Sequence, residues 1–119
     1  MRRTALVAIF SAVITITTAP PLPSAEAIQP TPREYAQRVS EGLWKPAEWH
    51  CLAELWHRES RWNPKADNPR SSAYGIPQIL GLSEKLSPTQ QIDRGVAYII
   101  HRYDTPCRAL AFHDRRGFY

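Results

Sequence analysis

Residues 46–60 read PAEWHCLAELWHRES, and this stretch decides the fold. Pro46 and Glu48 are typical of the first turn of a helix, where a missing N–H costs nothing and a negative charge is favourable. The Asn63-Pro64 pair is expected to stop the helix soon after Ser60, because a residue before proline disfavours helical dihedral angles. The segment therefore predicts a helix over 46–60.

One face of this helix carries a single acidic side chain among apolar ones. Leu52, Leu55 and Trp56 precede Glu59 by seven, four and three residues, which puts all four side chains on one face. Ile79 is expected to add to this apolar environment. Burial of a carboxyl group raises its pKa because the charged form loses solvation. Glu59 is therefore predicted to keep a proton near neutral pH, as a general acid must.

Two further segments carry strong helix-start patterns. Thr31–Glu34 and Ser87–Gln90 each combine a capping residue, a proline at the first helical position and a glutamate or glutamine at the third. They predict one helix from Pro32 toward Gly42 and another that includes Tyr103. The part between the second and third helices is rich in loop formers, and no strand-type alternation is visible. The predicted fold class is therefore all-α, a small helical domain.

The first 27 residues are typical of a secretory signal peptide. Arg2 and Arg3 form a basic start, residues 5–18 are apolar, and Ala25-Glu26-Ala27 offers small residues for cleavage. An uncleaved membrane anchor is the alternative, but the apolar run is shorter than the roughly 20 residues of a spanning helix. We therefore expect no stable membrane insertion after cleavage. The predicted organisation is 1–27 signal peptide, 28–41 linker and short N-terminal helix, and 42–119 main domain.

The chain contains two cysteines, Cys51 and Cys107. An even count in an exported protein favours a disulfide, which would bring a final short helix through Cys107 back to the second helix. A bridge closing a loop of this length contributes about 4 kcal/mol in the chain-entropy model. The alternative is a cysteine peptidase in which Cys51 is the nucleophile and His113 or His101 the base. That chemistry needs a free thiol.

The charge and the histidines exclude other classes. The formal charge of +4 is modest and lacks the clustered basic stripe of a nucleic-acid-binding protein. His50 and His57 lie on the helix face opposite Glu59, and no His-Glu-x-x-His or paired-cysteine motif is present. We therefore expect no metal, no cofactor and no nucleic-acid partner, and we expect a monomer.

Several motifs follow one another in a recognisable order. Residues 55–66, LWHRESRWNPKA, and residues 72–79, SAYGIPQI, contain a Glu-Ser pair, an aromatic-Asn-Pro-x-Ala segment and a Gly-x-x-Gln segment. Together they resemble the catalytic core of soluble-lytic-transglycosylase-type enzymes, a lysozyme-like family. The closing segments 109–113, ALAFH, and 117–119, GFY, are similar to the compact domain of actinobacterial secreted proteins and phage tail proteins. The resemblance implies a lysozyme-like catalytic domain over 42–119.

The resemblance also implies roles for individual residues. Glu59 corresponds to the catalytic glutamate, and Ser60 would support the active-site turn. Tyr74 and Gln78 would line the groove that binds the sugar chain.

Three other residues are candidates for the same groove. Trp62 follows Glu59 by about one helical turn and is expected near the groove, where sugars stack on aromatic rings. Larger members of the family place a tyrosine near the glutamate, and His113 stands at that position here. Either His113 or Tyr119 is a candidate to replace it.

The predicted reaction follows from having one assigned carboxylate. Many glycosidases need a second acidic residue, but a substrate with an N-acetyl group can supply its own nucleophile, and no motif marks Asp67, Asp93 or Asp114 as a partner. The chain is therefore predicted to be a secreted lytic transglycosylase of the cell wall. It would cleave the MurNAc-GlcNAc β-1,4 bond of peptidoglycan and form 1,6-anhydro-MurNAc. The alternatives are a hydrolytic muramidase and a catalytically weak peptidoglycan-binding protein of the same fold.

Overall fold

A computed structural model describes residues 5–22, 24 and 29–119. Within these residues the regular structure consists of four helices and one pair of short strands. Arg2, Arg3 and Ala25-Glu26-Ala27 lie outside the described residues, so the signal peptide stays a prediction. In chain order the elements are α1 Pro32–Leu43, α2 Pro46–Ser60, β1 Ala73–Tyr74, β2 Ile79–Leu80, α3 Pro88–Tyr103 and α4 Pro106–Arg116.

Capping residues mark where helices begin, and a left-handed turn marks where α2 ends. Thr31 and Ser87 form the two predicted capping boxes, and Thr105 caps α4 through its side chain. The predicted span of α2 is confirmed. It ends because Arg61 and Trp62 adopt left-handed conformations, with φ of 52° and 64°, before the Asn63-Pro64 pair is reached.

Helix α2 supplies the centre of the core. Its Leu52, Leu55 and Trp56 are fully buried, as the apolar face predicted. Helices α1 and α4 both pack against α2, and α3 packs against α1 and α4. The other helices contribute the buried residues Ala36, Ile92, Val96, Ile99 and Ala109.

A small antiparallel hairpin corrects the all-α prediction. Tyr74 of β1 pairs with Ile79 of β2, so the domain is mostly helical with two short strands. Strands of two residues are too short for alternating burial to mark them in the sequence.

A buried glutamine of α3 holds this hairpin in place. Gln91 accepts a hydrogen bond from the Ile76 N–H (3.0 Å) and donates one to the Pro64 carbonyl (2.8 Å). A β-carbon on Gly75 would lie 2.5 Å from the Gln91 Oε1 atom, and Gly75 has a φ of 78°. Glycine is therefore required where the hairpin meets α3.

The predicted disulfide is present and joins α2 to α4. Cys51 and Cys107 are bonded, with their Cα atoms 4.9 Å apart. The Glu48 carboxylate also accepts a hydrogen bond from the Cys107 N–H (2.7 Å). A cysteine-peptidase mechanism lacks its free thiol in this state. In the part of the chain described, no helix is both long enough and apolar enough to cross a membrane.

Candidate active site

Glu59 lies in the last turn of α2, on the face that carries the buried residues. Its side chain is only 15% exposed. Burial raises the pKa of Glu59 to about 7. A carboxyl group with this pKa is protonated in about half of the molecules at neutral pH, which suits it to act first as an acid and then as a base.

His113 of α4 contacts this carboxyl group. Its Nε2 atom lies 2.9 Å from Oε1 of Glu59, and its side chain is also 15% exposed. Burial lowers the pKa of His113, and the positive charge of Arg58 lowers it further, while Asp114 acts in the opposite direction. These effects favour an uncharged imidazole beside a protonated carboxyl group.

Arg58 links the two helices next to this pair. Its Nε atom donates to Glu54 (2.7 Å), and its guanidinium group also binds Asp114 of α4. Arg58 precedes Glu59 in the chain, and Asp114 follows His113. All three charged side chains are more than a third exposed, so the network adds little stability, although it joins α2 to α4 beside the site.

Tyr119 lies near enough to Glu59 for the charge of the glutamate to act on it. Its hydroxyl accepts from the Trp56 indole N–H (2.9 Å) and donates to the Pro77 carbonyl (2.7 Å). Burial raises the pKa of Tyr119 well above its ordinary value, and the charge of Glu59 contributes in the same direction. Because the Tyr119 hydroxyl is already used in both bonds, His113 is the candidate that contacts Glu59 directly.

Ser60 and Gln78 use their polar groups to hold the turn beside Glu59. The Ser60 hydroxyl donates to the Ile76 carbonyl (2.7 Å) and accepts from the Trp62 N–H (3.1 Å). The Gln78 amide nitrogen donates to the carbonyls of Ala66 (2.9 Å) and Gly75 (3.0 Å). Ser60 thus bonds to the turn that follows α2, and the Gln78 amide nitrogen bonds within the loop. The roles of both residues toward a sugar chain stay predictions.

Trp62 makes its contacts with the first two helices. Its ring packs against those of Trp49 and Trp56, with centroids 5.9 and 5.5 Å away, and its N–H donates to the Ala53 carbonyl (3.3 Å). The Arg33 guanidinium lies 5.4 Å from the Trp62 ring. Trp62 therefore packs at the edge of the core, and none of these contacts involves Glu59.

A cleft of about 380 Å³ opens between the end of the hairpin and α3. Tyr98 forms part of its wall, and the Tyr98 ring lies 5.5 Å from the ring of Tyr119. The Tyr98 ring therefore separates the cleft from Tyr119. The charge of Glu59 acts on Tyr119 in turn. Ile79 lines the cleft, whereas Tyr74 is half-buried opposite it in the hairpin. The remaining lining residues are Leu80, Gly81, Leu82, Ser83, Arg94 and Ala97.

The three aspartates considered as partners have other surroundings. Asp114 binds Arg58, Asp93 accepts from the Tyr35 hydroxyl (2.8 Å), and Asp67 is exposed beside Tyr74. Burial is the cause of the raised pKa of Glu59, without a contribution from a neighbouring carboxylate. Among the described residues, no group of three histidine, cysteine or acidic side chains is arranged to hold a metal.

Two known proteins are distantly similar to this chain. Both are membrane-bound lytic murein transglycosylase F, from two strains of Vibrio cholerae serotype O1. Each is 28% identical over 78 residues, which cover 60% of this chain and 14% of the relative. The chain therefore matches only a small part of the relative's length. No family model matches the chain, and no solved structure matches it.

Sequence reasoning did not single out Tyr98, Arg94 or Gln91. All three belong to the amphipathic helix α3, and none is part of a motif. A buried polar residue such as Gln91, only 2% exposed, is indistinguishable in sequence from an exposed one until its partners are known.

Proposed function

We propose that this protein is a lytic transglycosylase that cleaves the glycan strands of peptidoglycan, with Glu59 as its general acid and base. The observation that carries the proposal is the buried carboxyl group of Glu59, whose pKa is raised to about 7. The distant similarity to a lytic murein transglycosylase supports the same reaction class. The disulfide fits an oxidising, extracytoplasmic location at the cell wall.

In the first proposed step, the Glu59 carboxyl group gives its proton to the oxygen that links N-acetylmuramic acid to N-acetylglucosamine. The bond from this oxygen to the muramyl anomeric carbon breaks, and N-acetylglucosamine leaves as an alcohol. The carbonyl oxygen of the muramyl N-acetyl group bonds to the electron-poor carbon and stabilises it. Glu59 is then a carboxylate.

In the second proposed step, this carboxylate takes the proton of the muramyl 6-hydroxyl. The freed oxygen bonds to the anomeric carbon and displaces the N-acetyl oxygen. The product is a 1,6-anhydro ring, Glu59 regains its proton, and no water is consumed. Asp114 is held by Arg58 and Asp93 by the Tyr35 hydroxyl, so the proposal assigns both proton transfers to Glu59 alone.

Digestion of purified peptidoglycan in ¹⁸O-labelled water, followed by mass spectrometry, tests the proposal. We expect unlabelled anhydro ends, one water lighter than reducing ends. Label at new reducing ends would identify a hydrolytic muramidase instead. Binding to walls without any saccharide release would identify a peptidoglycan-binding protein.

Glu59→Gln tests the catalytic residue in the same assay. Glutamine keeps the shape of the side chain but cannot donate and recover a proton, so we expect lysis to fall by about 10²- to 10⁴-fold. Asp67→Asn is the matched control because it makes the same chemical change at an exposed carboxylate, and it should retain activity. Lysis by Glu59→Gln at the unmodified rate would remove Glu59 from the mechanism.

A further inference from the structure

The contact between His113 and Glu59 involves one specific oxygen of the carboxyl group. Nε2 of His113 lies 2.9 Å from Oε1 of Glu59, and both side chains are 15% exposed. The two atoms are within hydrogen-bond distance but are not aligned as a hydrogen bond in this structure, so Oε1 is the oxygen that would accept from the imidazole N–H after a small turn of the ring. With Oε1 used in this way, Oε2 would carry the proton of the acid toward a substrate.

We propose that His113 is a positioning residue for Glu59: its uncharged imidazole donates to Oε1, orients the acid proton on Oε2, and stabilises the carboxylate that forms after proton donation. This inference rests on the proposed function. No atom is transferred to or from His113, because the same N–H donates before and after the step.

The charges around the pair favour an uncharged imidazole. From α2, Arg58 acts on His113 with a positive charge, which adds to the effect of burial in lowering the pKa of His113. From α4 itself, Asp114 opposes this effect, but its carboxylate is bound to Arg58. Tyr119 faces Glu59 as a neutral phenol whose pKa is raised. An imidazolium would instead leave Glu59 ionised at rest, without a proton to give.

Two links fix the position of the imidazole. The Cys51–Cys107 disulfide joins the helices near the start of α4, and the Arg58–Asp114 ion pair joins them beside the site. Glu59 and His113 come from different helices, so their distance depends on this alignment. A group held in this way needs only a small reorientation when charge develops on Glu59.

Two substitutions separate this role from a structural one. His113→Gln keeps an N–H donor at about the position of Nε2, while His113→Leu keeps bulk without a donor. We expect His113→Leu to lower kcat by about 10- to 100-fold with KM nearly unchanged, the loss expected for a hydrogen bond to a charged group. His113→Gln should recover most of kcat. His57→Leu, at an exposed histidine of α2, is the matched control and should retain kcat.

Carbon-13 NMR titration of the Glu59 carboxyl group gives a readout that needs no saccharide. Loss of the donor should raise the pKa of Glu59 by about one unit in His113→Leu, and His113→Gln should stay close to the unmodified protein. An unchanged Glu59 titration in His113→Leu, or equal losses of kcat in both variants, would overturn the inference. If Glu59→Gln stayed active while the titration shifted as expected, the proposed function would fail and the positioning contact would stand.

Discussion

Gly95 of α3 lies directly against the indole ring of Trp56 in α2. A β-carbon on Gly95 would lie 2.5 Å from Cζ2 of Trp56 and 2.8 Å from Cβ of Pro77. The absence of a side chain at Gly95 thus lets α3 approach the helix that carries Glu59. Trp56 is fully buried and donates to Tyr119, so this approach also sets the position of the aromatic residues around the site.

Gly95→Ala is expected to destabilise the protein by about 1–3 kcal/mol, because the added methyl group overpacks the core. Gly42→Ala is the matched control, since Gly42 lies within α1 with nothing within 4 Å of its β-position. That variant should be more stable by about 0.5–1 kcal/mol, from the higher helix propensity of alanine. Urea unfolding of both variants measures the two effects, and equal stabilities would contradict the packing argument.

Glu59→Gln is expected to stabilise the fold near and above neutral pH while it lowers activity. The folded-state pKa of Glu59, about 7, lies above the ordinary 4.5, so its contribution to stability is fully present at low pH and is lost as pH rises through about 7. The variant and the unmodified protein should therefore unfold alike near pH 4. Near pH 8 the variant should be more stable by up to about 3 kcal/mol, and a constant difference across this range would argue against the raised pKa.

Reduction of the Cys51–Cys107 bridge is expected to lower the free energy of unfolding by about 4 kcal/mol, since the unfolded chain gains the entropy of an open loop. Denaturant unfolding with and without a thiol reductant measures the loss. A Cys51→Ala and Cys107→Ala double variant should be equally weakened and should not respond to the reductant. A response in the double variant would locate the effect elsewhere.

Tyr119→Phe is expected to cost about 1–3 kcal/mol of stability, because the Trp56 N–H and the Pro77 carbonyl both lose a buried partner. The Glu59 carboxyl group of this variant should titrate as in the unmodified protein by carbon-13 NMR, in contrast to that of His113→Leu. A shift as large as that of His113→Leu would make Tyr119 the residue that positions Glu59.

Tyr98→Ala is expected to raise KM for glycan strands by about 3- to 10-fold, because its ring forms part of the cleft wall beside Tyr119. Ile100→Ala, at an exposed position of the same helix, is the control and should leave KM unchanged. Steady-state assays on solubilised strands measure both. A normal KM for Tyr98→Ala would place the sugar chain outside this cleft.

The features predicted from sequence are those that local chemistry determines. The capping boxes at Thr31 and Ser87, the apolar face that ends in Glu59, and the pairing of the only two cysteines each depend on a few neighbouring residues or on a simple count. Each was found where the sequence predicted it.

The features that were missed depend on long-range packing. The hairpin of two-residue strands has no periodicity, and it is held by Gln91 from a helix later in the chain. The left-handed turn at Arg61 and Trp62, after which the Trp62 ring packs against Trp49, is also unmarked in the sequence. The expected position of Trp62 near the groove stays a prediction. No sequence pattern predicts a left-handed turn at residues other than glycine.

The disulfide also limits the effect of proteolytic cleavage on this domain. Glu59 and its hairpin lie between Cys51 and Cys107 in sequence, while His113 and Tyr119 lie beyond the second cysteine. A single cut in the loops around Arg70 or Lys85 would therefore leave the two pieces covalently joined. The nicked domain would keep its acid and the imidazole on one molecule, and only a reducing gel would reveal the cut.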